Sequence, residues 1–332
     1  MHYKKQDAAQ IAGFCEALER IDPKTVVEIP FLGDCTRGDG KYLTVTVEDA
    51  KRIAEIPMAN VLMDSKFFEP DTSQEPSGRF HFTQDSLRRI SREDSRHAVF
   101  FGSLYDPDGA KAEIAVKASP KINLAEIAWY QNLAECGLMT YAPIGYIALE
   151  GSQVGYTMTA YNQEVTTLDS YDWRSFSEDE KIGKLELVID TAIALHKHAL
   201  LHSDLEFRNV ASDDLDDPFI IDPEFMVDIS GKFRELEQSR DLRERSRLRQ
   251  GLVNTMSAEF TGIVKSISDY ILPTMKHPPK KSMDKFSFLQ EVLYDPYMAK
   301  LMQQPGEHIL DIIDLYERMY DKKMNDAKNE LL

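Results

Sequence analysis

Cysteine is scarce in this 332-residue chain, which contains three. Cys15, Cys35 and Cys136 lie far apart and form no Cys-x-x-Cys pair, which argues against a disulfide framework and against a cysteine zinc site. No run approaches the roughly 20 apolar residues that a membrane-spanning helix requires, and the polar residues 1–10 lead into no apolar signal segment. These absences predict a cytoplasmic protein without a membrane span.

Basic residues are outnumbered by acidic ones. Lysine and arginine total 39 against 56 aspartates and glutamates, giving a formal net charge of −17. A surface of this charge repels nucleic acid and anionic membranes, so we expect no nucleic-acid partner. The 42% hydrophobic and 29% charged content is that of a globular protein. The length is sufficient for two domains or one bilobal domain, and the oligomeric state stays open.

The residue pattern changes twice along the chain. An amphipathic helix and two β-rich runs, Thr25–Leu32 and Tyr42–Val47, predict a small α+β extension whose role is open. The segment Glu69–Gly78 has the composition of a linker. Strand-like runs follow, and then mainly helical patterns. The predicted division is an α+β extension at 1–75, a strand-rich part at 80–165 and a helix-rich part at 166–332.

The strand-rich part predicts an antiparallel sheet with one inserted helix. The turn sequence Asp106-Pro107-Asp108-Gly109 joins two of its strands. The predicted elements are strands at His97–Tyr105, Ala112–Ala118, Ile144–Leu149 and Val154–Ala160 and a helix from Asn123 to Cys136. In the helix-rich part, Ser177 and Glu180 have the spacing of a capping box at the start of a long helix.

The segment His202–Glu224 carries the residue types that phosphoryl transfer needs. Asp204 follows His202 by two residues, and Asn209 follows Asp204 by five. A short apolar strand then leads to Asp222. Transfer of the γ-phosphoryl group of ATP requires a carboxylate to orient the acceptor hydroxyl and oxygen ligands for magnesium. We expect His202 to brace this loop rather than to carry protons.

This pattern resembles the catalytic loop H-x-D-x-x-x-x-N and the metal-binding aspartate of the protein-kinase-like superfamily. Upstream, Lys117 resembles the strand lysine of that family, and Glu126 resembles the helix glutamate that pairs with it. Tyr156–Tyr161 is similar to the strand that leads to the interlobe hinge. The resemblance covers roughly residues 87–247 and implies a bilobal α+β fold, with an antiparallel-sheet N-lobe containing one helix and a mainly helical C-lobe.

The resemblance also implies roles for individual residues. Lys117, held by Glu126, would bind the α- and β-phosphates of ATP, and Asp204 would accept the proton of an acceptor hydroxyl. Adenine would contact the backbone of Ala160 and Tyr161. The implied magnesium ligands are Asn209 and Asp222.

The chain departs from the family pattern at several positions. The glycine-rich phosphate loop is absent, and Ser91 and Ser95, which stand in its place, are the candidate phosphate contacts. The metal motif is Asp-Pro-Glu at 222–224 rather than Asp-Phe-Gly, and Glu206 stands where Ser/Thr protein kinases carry a lysine. These features resemble RIO-type atypical kinases and the aminoglycoside and sugar phosphotransferases.

The sequence therefore predicts an ATP- and Mg²⁺-dependent phosphotransferase that acts on the hydroxyl of an unidentified small molecule or protein. The alternative is a pseudokinase that binds nucleotide or a partner without catalysis. A third possibility keeps the fold and transfers AMP instead of phosphate.

Overall fold

The computed structural model describes residues 2–26, 61–63, 65–73, 75–83, 99–119, 124–148, 154–161, 165–212, 218–276, 287, 289–303, 312–318, 320–322 and 325. The chain divides into two compact units. The first comprises residues 1–35, 45–132 and 141–163, and the second comprises residues 36–44, 133–140 and 164–332. Helices and antiparallel strands are both present, so the fold class is α+β. Among the helices described, none combines the length and apolar composition that crossing a bilayer demands.

A seven-stranded sheet lies in the first unit. Its strands are β1 (Val61–Met63), β2 (Glu69–Pro70), β3 (His81–Thr83), β4 (Val99–Tyr105), β5 (Ala110–Ser119), β6 (Pro143–Ala148) and β7 (Gly155–Ala160). The order is β1-β6-β7-β5-β4-β3, and β2 pairs with the start of β5. All of these pairings are antiparallel. The four strands predicted between residues 97 and 160 are confirmed, whereas the predicted linker at 69–78 begins with a strand.

The turn between β4 and β5 follows its sequence signal. The carboxylate of Asp106 accepts hydrogen bonds from the backbone N–H groups of Asp108 and Ala110 at 2.9 and 2.8 Å. Gly109 has a φ of +89°, a backbone conformation that residues with a Cβ atom rarely adopt. The glycine and the aspartate together fix the register of β4 against β5, with Val99 opposite Lys117.

The first helix, α1 (His2–Glu19), packs on one face of this sheet. Its Phe14 is fully buried, with its ring 5.3–5.5 Å from the rings of Phe82, Phe100 and Tyr156. Over the described residues, the predicted extension at 1–75 therefore shares a core, and through β1 a sheet, with the predicted strand-rich part. The predicted strands at 25–32 and 42–47 lie mainly or wholly outside the described residues.

A second helix, α2 (Leu124–Glu135), follows β5 and confirms the predicted inserted helix. Ile127, Trp129 and Leu133 are buried along it. The helix ends before Gly137, whose φ of +72° and hydrogen bond to the Ala134 carbonyl are typical of a C-terminal helix stop. The predicted cap, Asn123, lies outside the described residues.

The second unit is mainly helical. Its helices include α3 (Glu178–Lys197), α4 (Ser230–Gln238), α5 (Leu242–Ser266) and α6 (Asp295–Met302), and residues 312–318 are also helical. Its short strands are β8 (Thr166–Thr167), β9 (Leu200–His202), β10 (Val210–Ser212), β11 (Pro218–Ile220) and β12 (Met226–Asp228). The capping box is confirmed, since the Ser177 hydroxyl accepts from the Glu180 N–H while the Glu180 carboxylate accepts from the Ser177 N–H.

A buried polar group connects three of these helices. His196 of α3 lies 3.2 Å from the Glu259 carboxylate of α5 and also contacts the Tyr297 hydroxyl of α6. All three side chains are buried, and burial followed by the nearby Glu259 charge raises the pKa of Tyr297 well above its ordinary value. This buried contact between His196 and Glu259 joins α5 to α3.

Candidate active site

Lys117 and Glu126 form an ion pair within the first unit. The Lys117 Nζ atom lies 3.3 Å from Glu126 Oε1, and the two side chains are 12% and 3% exposed. Lys117 is on β5, and Glu126 is in the first turn of α2. The strand and the helix that follows it therefore place the two predicted partners together, in surroundings where water screens their charges little.

Lys117 lies on the sheet face opposite to α1. Alternation along β5 places Ile114 and Val116 in the core with Phe14, so Ala115 and Lys117 point to the other side. The strand register places Val99 and Thr157 beside Lys117, and Phe101 and Thr159 beside Ala115. Beside Lys117, this face therefore presents apolar and hydroxyl side chains.

Of the predicted adenine contacts, Ala160 ends β7 and Tyr161 follows it. The Ala160 N–H donates to the Ala142 carbonyl at 2.8 Å, and the Tyr161 N–H donates to the Glu113 carbonyl at 2.9 Å. Both donors are engaged within the sheet, so an adenine contact at these two residues would use their carbonyl oxygens. The ring of Tyr161 packs on Phe101, with centroids 4.1 Å apart.

Ser91 and Ser95, the predicted phosphate contacts, lie outside the described residues. Their role stays a prediction from the sequence.

The loop between β9 and β10 brings Asp204 and Asn209 into direct contact. The Asn209 side-chain amide donates to the Asp204 carbonyl at 2.7 Å and to its carboxylate at 3.2 Å. The backbone tightens the loop, because Glu206 N–H donates to the Asp204 carbonyl and Asn209 N–H donates to the Glu206 carbonyl, each at 2.8 Å. The predicted base and one predicted magnesium ligand are therefore held in one hydrogen-bonded turn.

Asp222 lies two residues after β11 in a left-handed conformation, with φ 52° and ψ 60°. A non-glycine residue in this region costs on the order of 1 kcal/mol, and such strain clusters at functional sites. The preceding residue is tied to the loop, because the Ile221 N–H donates to the Asn209 carbonyl at 3.0 Å. This bond fixes the start of the predicted metal motif relative to Asn209.

His202 connects the loop that carries Asp204 to the backbone before Asp222. The Asp204 N–H donates to His202 Nδ1 at 3.3 Å, which places the hydrogen on Nε2, and Nε2 donates to the Ile221 carbonyl at 3.2 Å. The side chain is fully buried. Both ring nitrogens are engaged with backbone, as expected of a bracing residue.

Two cations balance the carboxylates of this loop. Arg208 donates to the Asp204 carboxylate at 2.9 Å, and Lys265 of α5 donates to Glu206 at 2.8 Å. Partial burial acts to lower the pKa of Arg208, but the surrounding carboxylates outweigh it and raise that pKa. The hydrogen bond to Glu206 raises the pKa of Lys265. Nothing in the sequence indicated the Lys265 contact, because it joins residues 59 positions apart.

Asn209 and Asp222 carry oxygen atoms of the type that magnesium binds. In the part of the chain that the structure describes, no three or more His, Cys, Asp or Glu side chains are arranged to hold a metal ion alone. Magnesium is usually held by one or two protein ligands together with phosphate and water. Because the Asn209 amide nitrogen donates to Asp204, the amide oxygen remains as its ligand-type atom. Asn209 and Asp222 would supply the protein part of such a site.

Comparison with known proteins does not assign the chain to a family. No protein-family model matches it, and no curated protein matches it significantly.

Proposed function

We propose that this protein is an ATP- and Mg²⁺-dependent phosphotransferase of the cytoplasm, with the first unit as the N-lobe and the second as the C-lobe of a kinase-like fold. One observation carries the proposal: Asp204, Asn209 and the backbone before Asp222 form a single hydrogen-bonded loop, braced by buried His202. The shielded Lys117–Glu126 pair supports it. A structural role alone requires neither arrangement.

The residues divide the reaction between them. Lys117 binds the α- and β-phosphates, held in position by Glu126. Asp204 orients the acceptor hydroxyl and takes its proton. The hydroxyl oxygen forms a bond to the γ-phosphorus while the bond between the γ-phosphorus and the bridging oxygen breaks, so that ADP leaves. Magnesium, when bound at Asn209 and Asp222, neutralises charge on the phosphates.

A pseudokinase is the second candidate, and one contact favours it. Arg208 donates to the Asp204 carboxylate and is half exposed, with 52% of its side chain accessible. A base that stays paired with a guanidinium is a poor proton acceptor, since the positive charge stabilises the carboxylate. Catalysis requires Arg208 to leave Asp204 or to contact the transferred phosphoryl group, whereas a binding module does not.

Calorimetric titration tests the nucleotide site. Wild-type protein should bind ATP in the presence of Mg²⁺ and much more weakly with EDTA. In Lys117→Ala the dissociation constant should rise by roughly 10- to 100-fold, since a charge-assisted hydrogen bond is worth about 1.5–3 kcal/mol.

Lys111→Ala is the matched control. Lys111 lies on the same face of β5 and pairs with Glu113 instead of the helix glutamate. Equal binding by all three proteins, or no binding by wild type, would remove the nucleotide site from the proposal.

A further inference from the structure

A groove lies beside Asp204 within the second unit. Its volume is about 530 Å³, within the roughly 300–1,000 Å³ of small-molecule sites. The loop side of the groove is formed by Ser203, Asp204 and Glu206. The other side is one face of α5, formed by Asn254, Ser257, Ala258, Thr261, Gly262 and Lys265. The carboxylate that the proposed reaction uses as its base thus forms part of the wall of a groove.

The loop contacts α5 near the C-terminal end of that helix. A Cβ atom at Gly262 would lie 3.1 Å from the Leu205 carbonyl, so a side chain there would require the loop or the helix to shift slightly. The Phe207 N–H donates to the buried Ser266 hydroxyl at 3.0 Å. The Lys265–Glu206 ion pair adds a third connection at 2.8 Å. These contacts fix the spacing between Asp204 and the polar face of the helix.

The charges that surround the groove compensate one another. The carboxylate of Asp204 pairs with Arg208, and that of Glu206 pairs with Lys265. A strongly cationic or anionic ligand would have to break one of these pairs, or bury its charge against a group already neutralised. While both pairs are in place, before the reaction, the charge balance favours a neutral ligand.

The remaining polar groups suit hydroxyl groups. Ser203 Oγ donates to the Phe225 carbonyl and Thr261 Oγ1 donates to the Ser257 carbonyl, so each oxygen faces a ligand as an acceptor. The Asn254 oxygen accepts from Gln250 at 2.9 Å, so its NH₂ group is the donor side. A compound that both donates and accepts hydrogen bonds complements this set. No aromatic side chain is among the residues that line the groove.

We infer that this groove binds the phosphoryl acceptor and that the acceptor is a small, neutral polyhydroxylated compound. The inference rests on the proposed phosphotransferase activity and adds the substrate class. One acceptor hydroxyl lies at Asp204, and the others contact Ser203, Thr261 and Asn254. The transferred phosphoryl group forms a bond to that hydroxyl oxygen, and the proton passes to Asp204.

Ala258→Trp tests the site, because Ala258 is exposed and a larger side chain fills the groove without entering the core. D-Glucose and myo-inositol serve as neutral probes, and kanamycin serves as the cationic comparator, with binding followed by saturation-transfer NMR. At least one neutral probe should bind the wild type more tightly than kanamycin. Its dissociation constant should rise about tenfold or more in Ala258→Trp, because the indole obstructs the groove.

Ser246→Trp is the control, being an equally exposed position on α5 three turns away from Ala258 and outside the groove. Ser246→Trp should bind the probe as wild type does. Thr261→Val removes one hydroxyl while keeping the side-chain shape, and it should weaken binding of the probe severalfold. Binding of neither neutral probe, tighter binding of kanamycin, or unchanged binding by Ala258→Trp would overturn the inference. Failure of the proposed function appears separately, as absent Mg-ATP binding by the wild type.

Discussion

Replacing Asp222 with asparagine should reduce Mg²⁺-dependent ATP turnover by roughly 10²–10³-fold or more, the scale of losing a preorganised electrostatic contact to the reacting group. Asparagine is the informative substitution because it tolerates the left-handed backbone of Asp222. It removes the charge and retains the shape, whereas alanine would add backbone strain to the loss of the ligand. ADP release in a coupled assay measures the effect.

The neighbouring acid provides the control for this substitution. Glu224→Gln removes a charge two residues away, within the same short helical turn at Pro223–Phe225. We expect turnover to stay close to that of wild type, because the proposal gives the partly buried Glu224 no contact with magnesium or nucleotide. An Asp222→Asn protein that folds as wild type does and retains more than one tenth of the turnover would contradict the role of Asp222.

Phe14→Ala should lower the free energy of unfolding of the first unit by about 3–5 kcal/mol, the cost of removing a buried phenylalanine side chain. The cost is at the upper end because Phe14 is fully buried and its ring meets three others. The two tryptophans allow the measurement, since Trp129 belongs to the first unit and Trp173 to the second. In a Trp173→Phe background, Trp129 fluorescence during urea unfolding reports on the first unit.

Phe67→Ala is the comparison for that measurement. Phe67 packs at the edge of the same core and is only partly buried, so its loss should cost about 1–2 kcal/mol. A Phe14→Ala protein no less stable than Phe67→Ala would show that α1 contributes little to this core. A large effect would establish that residues before the linker-like segment are needed for the sheet that carries Lys117.

Local signals predicted the elements that depend on short-range chemistry. The β4–β5 hairpin follows from Asp106 and Gly109, and the start of α3 follows from the Ser177–Glu180 capping box, because each interaction spans only a few residues. The spacing of His202, Asp204 and Asn209 likewise predicts a single loop, since their hydrogen bonds lie within eight positions of sequence. Composition made 69–78 resemble a linker, and it could not reveal that Glu69 and Pro70 pair with β5.

Contacts between distant residues could not be predicted from one sequence. The sequence predicted the amphipathic helix that contains Phe14, but helical periodicity does not tell which sheet face that helix covers. The same holds for Lys265, which looks like an ordinary exposed lysine until α5 places it against Glu206. The engaged N–H groups of Ala160 and Tyr161 depend on strand pairing, which side-chain patterns do not specify. The groove beside Asp204 and the core around Phe14 therefore could be identified only from the three-dimensional structure.

The fate of the phosphates of ATP tests the proposed activity most directly. Phosphorus NMR of wild-type protein incubated with ATP, Mg²⁺ and a polyol should show ADP and a new phosphate ester, or inorganic phosphate where water replaces the acceptor. Asp204→Asn should bind Mg-ATP and leave it intact, since its side chain cannot accept the proton. Release of pyrophosphate would instead identify AMP transfer. Tight Mg-ATP binding with no change in the spectrum of the wild type would contradict catalysis and establish a pseudokinase.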